Sequence, residues 1–307
     1  MGVNRTSRPD VSVCVPIYNE EDSVGPLHEV IVAALEPSGY SFEIVLVDDG
    51  STDQTIPKLR CIAQDDPRVV IVRFRRNAGQ TSAMQAGIDH ACGRYIVTMD
   101  GDLQNDPADI PMMIDKLDED YDLVVGWRVN RQDKLLSRKV PSKLANFLIG
   151  KMTGLPIRDN GCSLKVYRAE VIRGVPLYSD MHRFIPAMSI PMGARVAEVG
   201  VRHHARQFGE SKYGLSRVLK VLLDLIVIKT LLIFSRRPMA RFNGVASVAA
   251  LVAVIAMLSI PVATPAVVPM TVAALAASLA AFLVLLGLAT GLILQVELRQ
   301  HTGRPKT

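Results

Sequence analysis

The first hundred residues alternate between short apolar segments and amphipathic segments. Four apolar runs, rich in Val and Ile and short enough to be strands, occur at residues 11–18, 42–50, 68–74 and 93–100. Between them, apolar residues recur at helical spacing at 24–35, 54–64 and 81–91. Strands that are apolar on both faces and alternate with helices are typical of a parallel sheet covered on both sides. The pattern therefore predicts an α/β fold with a mostly parallel sheet.

The pattern changes near Arg241. No Asp, Glu, Lys or Arg occurs between Phe242 and Val296, and this stretch is much longer than the roughly 20 residues that one bilayer crossing needs. Three prolines interrupt the middle of the stretch: Pro261, Pro265 and Pro269. We therefore predict two membrane spans, roughly 242–260 and 270–296.

Basic residues flank the two predicted spans, whereas the loop between them carries no charge. They are Arg236, Arg237, Arg241, Arg299, Arg304 and Lys306. The positive-inside rule then places both termini and the large N-terminal domain in the cytoplasm. The first ten residues, MGVNRTSRPD, contain no apolar segment, so no signal peptide is expected.

Two further segments have a pattern typical of membrane surfaces. In the segment 215–235, Arg217, Lys220 and Asp224 share one helical face, which predicts an interfacial helix, although a core helix of the N-terminal domain has the same pattern. The basic segment 131–143 either receives an anionic lipid group or is a solvated face. The predicted division is a large domain at 1–214, a juxtamembrane helix and basic linker at 215–241, a two-helix anchor at 242–296 and a basic tail at 297–307.

Composition and charge agree with this division. Of the 307 residues, 49% are hydrophobic, and the mean hydropathy is positive because of the C-terminal third. Aromatic residues make up only 5%, so the net charge of +5 is better explained by juxtamembrane basic residues than by nucleic-acid binding. The cysteines are scattered without any C-x-x-C pair, which favours a reducing compartment and no structural metal. They are Cys14, Cys61, Cys92 and Cys162.

Acidic residues follow three of the predicted strands. Glu20 follows the first, Asp48 and Asp49 end the second, and Asp100 and Asp102 end the fourth. A single acid after a strand is commonly a turn or N-cap residue. Several acids at one edge of a sheet repel one another unless a cation lies among them. The D-G-D turn therefore predicts a site for Mg²⁺ or Mn²⁺, which would bridge to diphosphate oxygens.

Four motifs in the first part of the chain carry a resemblance to a known family. They are V-P-I-Y-N-E at 15–20, V-D-D-G-S-T-D at 47–53, R-N-A-G-Q at 76–80 and M-D-G-D-L-Q at 99–104. With these motifs the chain resembles the family 2 glycosyltransferases of the GT-A fold. The stretch R-D-N-G-C-S-L-K-V-Y-R at 158–168, the stretch R-Q-F-G-E-S-K-Y-G at 206–214 and the two spans extend the resemblance to the polyprenyl-phosphate glycosyltransferases.

The resemblance implies roles for individual residues. The nucleotide-binding residues would be Pro16, Tyr18, Glu20, Val47 and Asp49, with Asp49 contacting the base. Asp100 would contact the donor, Asp102 would be the main metal ligand, and Gln104 would lie near the transferred sugar. The residues that would face phosphates are Arg128, Arg206 and Lys212. Arg206 and Lys212 could instead be simple charges at the membrane surface. Asp159 would orient a sugar hydroxyl or the acceptor, or would simply belong to a turn.

The activity implied is inverting transfer of one sugar from a nucleotide diphosphate, with UDP favoured, to undecaprenyl phosphate or a similar polyprenyl phosphate. One alternative is a processive polysaccharide synthase, but the chain has only one Trp, Trp127, and no Q-x-x-R-W motif. The other is a membrane scaffold that binds a nucleotide sugar without turning it over. The small residues at 273–281 also permit self-association of the spans.

Overall fold

The computed structural model describes residues 8–129, 150, 154–175, 177, 181–205, 238–260 and 265–302. The chain divides into two compact units, Met1–Ile226 and Val227–Thr307. Several predictions lie outside the described residues: those for the basic segment 131–143, for Arg206 and Lys212, and for the interfacial helix at 215–235.

A seven-stranded sheet organises the first unit. Its strands are β1 (Val11–Ile17), β2 (Phe42–Asp48), β3 (Val69–Arg73), β4 (Tyr95–Thr98), β5 (Leu123–Arg128), β6 (Lys165–Arg168) and β7 (Val196–Val201). Their order across the sheet is β3-β2-β1-β4-β6-β5-β7. The four strands predicted from the apolar runs pair in parallel. The prediction of a mostly parallel α/β sheet is therefore confirmed.

The remaining strands were not predicted from the sequence. β6 runs antiparallel to both of its neighbours, β4 and β5, whereas β5 and β7 pair in parallel. One antiparallel strand thus joins the parallel half of the sheet to a second half that is built from later parts of the chain. This arrangement brings the segment after residue 154 beside the carboxyl end of β4.

Helices cover both faces of the sheet. They are α1 (Val24–Leu35), α2 (Thr55–Asp65), α3 (Gln80–His90), α4 (Ile110–Asp118), and two short helices, α5 (Ala169–Ile172) and α6 (Ile185–Ser189). α1 buries Val24, Leu27, Ile31 and Leu35, which is the three-and-four spacing of its apolar residues. α1, α2 and α4 pack on one core layer, and α3 packs on the other. The first three helices agree with the predicted positions within a residue or two.

The second unit consists of two long apolar helices, α7 (Pro238–Ser259) and α8 (Val267–Thr302). Both contain a segment long and apolar enough to cross a membrane, Met239–Ser259 and Val267–Leu292, as predicted. α8 begins slightly earlier than predicted, because Pro269 lies in its first turn. The N–H groups of a first turn have no partner within the helix, so proline is tolerated there.

This helical pair buries small residues and exposes large apolar ones, which is the opposite of the core of a soluble protein. The side chains buried between the helices are mostly alanines: Ala246, Ala249, Ala253, Ala256 and Ala273. Large apolar side chains point outward, with Leu258 74% and Leu275 72% exposed. Helices that associate within lipid place small residues at their contact, because lipid solvates the large apolar ones. The sorting therefore supports the prediction of two membrane spans.

Two glycines of α8 let α7 approach closely, and this contact yields a prediction. A Cβ at Gly287 would lie 2.9 Å from the Cβ of Phe242, and one at Gly291 would lie 3.1 Å from Met239 Cγ. We expect Gly287→Leu to destabilise the helical pair by about 1–3 kcal/mol, because overpacking forces the helices apart. Thermal unfolding of the detergent-purified protein measures this. Gly244→Leu is the matched control, since a Cβ at that glycine meets nothing within 4 Å. Equal effects of the two substitutions would contradict the proposed contact.

Candidate active site

The loops that follow β1, β2 and β4 meet at one edge of the sheet, because those strands are parallel and adjacent. Backbone hydrogen bonds continue past the strand ends. The N–H of Asp49 donates to the carbonyl of Ile17 at 2.8 Å, and the N–H of Met99 donates to the carbonyl of Cys14 at 3.3 Å. The acidic residues that were predicted at the strand ends therefore lie along the same edge.

The turns after β1 and β2 form a single hydrogen-bonded unit. Asn19, whose φ is +52°, accepts a hydrogen bond from the N–H of Thr52 on its Oδ1 at 2.9 Å. Its own N–H donates to the hydroxyl of Ser51, and the N–H of Glu20 donates to the hydroxyl of Thr55, both at 2.9 Å. The motifs around residues 19 and 52 thus position each other, although more than thirty residues separate them.

The predicted nucleotide-binding residues are divided between this unit and the core. Pro16, Tyr18 and Glu20 are half-buried beside the turns, and the Glu20 carboxylate accepts a hydrogen bond from the Ser23 hydroxyl at 2.7 Å. Val47 differs, because its side chain is fully buried in the core layer under α3. The Val47 side chain therefore packs in the core, and the nucleotide-binding role of this residue stays a prediction. Its apolar side chain belongs to the strand's inward face.

Asp49 holds the loop that carries R-N-A-G-Q. Its carboxylate is buried and accepts hydrogen bonds from the N–H groups of Ala78 at 2.7 Å and Gly79 at 2.9 Å. Gly50 allows the two loops to touch, because a Cβ there would lie 2.5 Å from the carbonyl carbon of Arg76 and its φ is +72°. The contact between Asp49 and a base remains a prediction, and the observed contacts give Asp49 a structural role.

The same loop also holds Asp100. Gln80, the first residue of α3, donates a hydrogen bond from its Nε2 to Oδ1 of Asp100 at 2.6 Å. Gln80 closes the R-N-A-G-Q motif, but no role was predicted for it from the sequence. Because Asp49 binds one end of the loop and Gln80 reaches Asp100 from the other, the loop connects the second strand end to the D-G-D turn.

The D-G-D turn lies against β1. A Cβ at Gly101 would lie 2.7 Å from Cδ1 of Ile17, so a glycine lets the turn pack closely. Leu103 has a φ of +59°, and the N–H of Gln104 donates to Oδ1 of Asp102 at 3.2 Å. Both carboxylates of the motif are half-buried. The turn thus fixes Asp102 through the backbone of the following residues.

The segment after β7 is fastened beside the D-G-D turn. The N–H of His204 donates to the carbonyl of Gln104 at 2.9 Å, and the Gln104 amide donates to the carbonyl of His204 at 3.4 Å. Arg202 forms ion pairs with Asp106 at 3.1 Å and with Asp109 at 2.8 Å. The amide nitrogen of Gln104 is therefore bound to a backbone carbonyl. The place of Gln104 near the sugar remains a prediction.

Arg128 and Asp159, predicted separately, form one buried ion pair. The guanidinium donates from Nε to Oδ2 at 2.6 Å and from its second terminal nitrogen to Oδ1 at 2.9 Å. Their side chains are 13% and 8% exposed. The N–H of Cys162 also donates to the backbone carbonyl of Asp159 at 3.2 Å. Asp159 therefore belongs to a turn, and its carboxylate also fixes the Arg128 guanidinium at the end of β5.

Two buried groups of the R-D-N-G-C-S-L-K motif complete this part of the site. The Lys165 ammonium donates to the carbonyl of Cys162. Burial lowers the pKa of Lys165, and the negative charges of Asp100 and Asp159 oppose that shift. Burial raises the pKa of the Cys162 thiol to about 11, so the thiol stays protonated at neutral pH and is a poor nucleophile.

The residues around the D-G-D turn suit a divalent cation that the donor helps to bind. Among the described residues, no group of three or more His, Cys, Asp or Glu side chains is placed to hold a metal by itself. Mg²⁺ typically takes one or two carboxylates and completes its shell with water and substrate phosphates. Asp100 and Asp102 supply such a pair, so the site fits a metal bound together with a diphosphate.

A mostly parallel sheet with a D-x-D turn at its carboxyl edge defines the GT-A class of nucleotide-sugar-dependent glycosyltransferases. The chain belongs to Glycosyl transferase family 2, whose sequence profile matches residues 12–175.

Two curated relatives extend the similarity beyond the sheet. The chain is 51% identical over 233 residues to a dodecaprenyl-phosphate galacturonate synthase of Rhizobium johnstonii, covering 75% of this chain and 69% of the relative. It is 42% identical to an undecaprenyl-phosphate 4-deoxy-4-formamido-L-arabinose transferase of Edwardsiella ictaluri, covering 72% and 68%. Both names describe enzymes that join a sugar to a polyprenyl phosphate.

A solved structure supports the fold. Glucosyl-3-phosphoglycerate synthase from Mycobacterium tuberculosis, crystallised with Mn²⁺ and UDP, matches 73% of this chain and 79% of its own with a TM-score of 0.53. The sequence identity is 18%, so this match concerns the fold.

Proposed function

We propose that this protein transfers a single sugar from a nucleotide diphosphate, with UDP favoured, to undecaprenyl phosphate or a similar polyprenyl phosphate. The observation that carries the proposal is the D-G-D turn, held beside the buried Arg128–Asp159 pair in a chain similar over most of its length to polyprenyl-phosphate transferases. The two apolar helices supply a reason for a lipid acceptor, since they would keep the enzyme at a membrane.

Asp100 and Asp102 are the residues that would hold Mg²⁺ or Mn²⁺. When bound, the metal would neutralise the charge of the departing nucleoside diphosphate. Asp100 is aimed by Gln80 and Asp102 by the backbone of its own turn. The protein's own contribution is therefore to fix two carboxylates before the donor arrives, so that little reorganisation remains at the moment of reaction.

The acceptor explains why the site needs no strong general base. A phosphate monoester has a second pKa of about 6, so it is already an anionic nucleophile at neutral pH. The protein must bring that oxygen to C1 of the sugar on the side opposite the diphosphate, which inverts the configuration in a single displacement. Arg128, fixed by Asp159, would face the phosphates, and Arg206 and Lys212 are proposed for the same task.

The membrane arrangement follows from the charges near the spans. We propose that the catalytic domain and both termini are cytoplasmic, because basic residues flank the two spans and the loop between them has none. Nucleotide sugars would then reach the site from the same side as the lipid phosphate. The proposed boundaries are those given by the sequence, with the catalytic domain ending near residue 214.

Product formation by membranes tests the proposed function. Membranes containing the protein are given Mg²⁺, undecaprenyl phosphate and a panel of labelled UDP- and GDP-sugars that includes galacturonate and 4-formamido-arabinose donors. We expect one labelled glycolipid with a single sugar, and no product without the lipid phosphate. A longer polymer would favour a processive synthase. Tight donor binding with no product from any lipid would favour a non-catalytic scaffold.

A further inference from the structure

A buried lysine lies beside the acidic residues of the site, and neither the motifs nor the relatives assign it a role. Lys165 on β6 pairs with Thr98 on β4, two residues before Asp100, and the residue is 2% exposed. Its ammonium donates to the carbonyl of Cys162, and it forms no ion pair with any carboxylate in the part of the chain that the structure describes.

Stability alone does not explain a charge at this position. Taking an ammonium out of water carries a large cost, and an apolar side chain of similar volume commonly fills such a site with equal or greater stability. Asp100 and Asp159 both interact electrostatically with the Lys165 ammonium. The lysine therefore lies within electrostatic reach of both carboxylates.

The hydrogen bond of Lys165 also fixes one wall of the site. Its acceptor, Cys162, closes the turn that begins at Asp159, because the N–H of Cys162 donates to the carbonyl of Asp159 at 3.2 Å. Lys165 thus joins the end of β4, which leads to Asp100, to the turn that carries the partner of Arg128. Displacement of this one side chain would disturb the turn that carries Asp159, beside the strand end that leads to Asp100.

We propose that Lys165 is a positioning residue for glycosyl transfer, whose buried charge keeps Asp100 and Asp159 in place and offsets the negative charge of the metal–diphosphate complex. This inference rests on the function proposed above. When its bond to the sugar breaks, the diphosphate gains a negative charge, so that with a divalent metal it is a net anion in a site that already contains several carboxylates. A nearby cation in a low-dielectric interior therefore favours both binding of the complex and departure of the diphosphate.

Lys165→Met tests this role, because it removes the charge and keeps the length of the side chain. We expect the affinity for UDP with Mn²⁺, measured by calorimetry, to fall about tenfold and kcat to fall about 10- to 100-fold. The thermal midpoint of the purified full-length protein is expected to stay the same or to rise. Loss of function without loss of stability is the pattern that a merely structural lysine does not produce.

Thr98→Val is the matched control in the same buried cluster. It removes a hydroxyl that donates to the carbonyl of Ser163 at 3.0 Å and leaves the charge unchanged. We expect a lower thermal midpoint, with nucleotide affinity and kcat per folded protein within about twofold of wild type. The proposal fails if Lys165→Met behaves like Thr98→Val, or if it keeps wild-type affinity and kcat.

The same titrations separate this inference from the proposed function. UDP and GDP are both titrated into the wild-type protein, and those affinities test the donor. The role of Lys165 is tested by a ratio of affinities, that of Lys165→Met to that of wild type. Both are measured with the nucleotide that the wild-type protein binds more tightly.

Discussion

Asp102→Asn is expected to lower kcat/KM for glycosyl transfer by about 10³-fold or more, with little change in the thermal midpoint. The substitution keeps the shape of the side chain and an oxygen that can accept the N–H of Gln104, so the turn should survive. It removes the charge that is proposed to bind the metal, and loss of a main metal ligand removes charge stabilisation of the leaving diphosphate. Initial rates with labelled donor and lipid phosphate, over a range of Mn²⁺ concentrations, measure the effect.

The matched control is Asp89→Asn. Asp89 is an exposed aspartate near the end of α3, and its carboxylate accepts a hydrogen bond from Gln85 at 2.7 Å, one turn away on the same helix. We expect its rate to lie within about twofold of wild type, because exposed pairs of this kind contribute little. Full activity of Asp102→Asn at low Mn²⁺ would refute the metal assignment, and the search for the ligand would then move to Asp100.

Arg128→Met is expected to have the largest effect on the stability of the N-terminal domain. Removing one partner of a buried ion pair leaves the other charge buried without that counter-charge, which costs about 3–5 kcal/mol. The double variant Arg128→Met with Asp159→Leu should recover much of that loss, because neither charge then remains buried. Chemical denaturation of the purified protein measures the three free energies of unfolding. Activity should be absent from both variants, since the proposed phosphate-facing cation is missing from each.

A second substitution, in an exposed ion pair, controls for the effect of removing any arginine. Arg195 pairs with Asp120 at the surface, where the two side chains are 52% and 79% exposed, and more loosely with Asp122 at 3.5 Å. Arg195→Met should change the free energy of unfolding by less than about 1 kcal/mol, because water screens exposed pairs. If the double variant is no more stable than Arg128→Met alone, the pair is not the main source of the effect.

Local patterns in the sequence predicted the elements but not all of their partners. The first four strands and three helices follow from apolar spacing, because burial of one side of an element depends on its own residues. Nothing in the residues of β6 indicates the direction in which the strand runs. Its antiparallel pairing depends on its two neighbours, β4 and β5. The two apolar helices could also be predicted from the sequence, since their length and lack of charge are properties of the segments themselves.

The sequence by itself determined which residue types lie at the ends of the strands, and through its motifs the family and the carboxylates of the D-G-D turn. Only the tertiary structure decided how those residues are held. Gln80 reaches Asp100 across 20 residues, Arg128 reaches Asp159 across 31, and Lys165 lies between the end of β4 and the turn that begins at Asp159. Such contacts join distant parts of the chain. They depend on which strands are neighbours, and that choice is made by packing of the whole sheet rather than by any one segment.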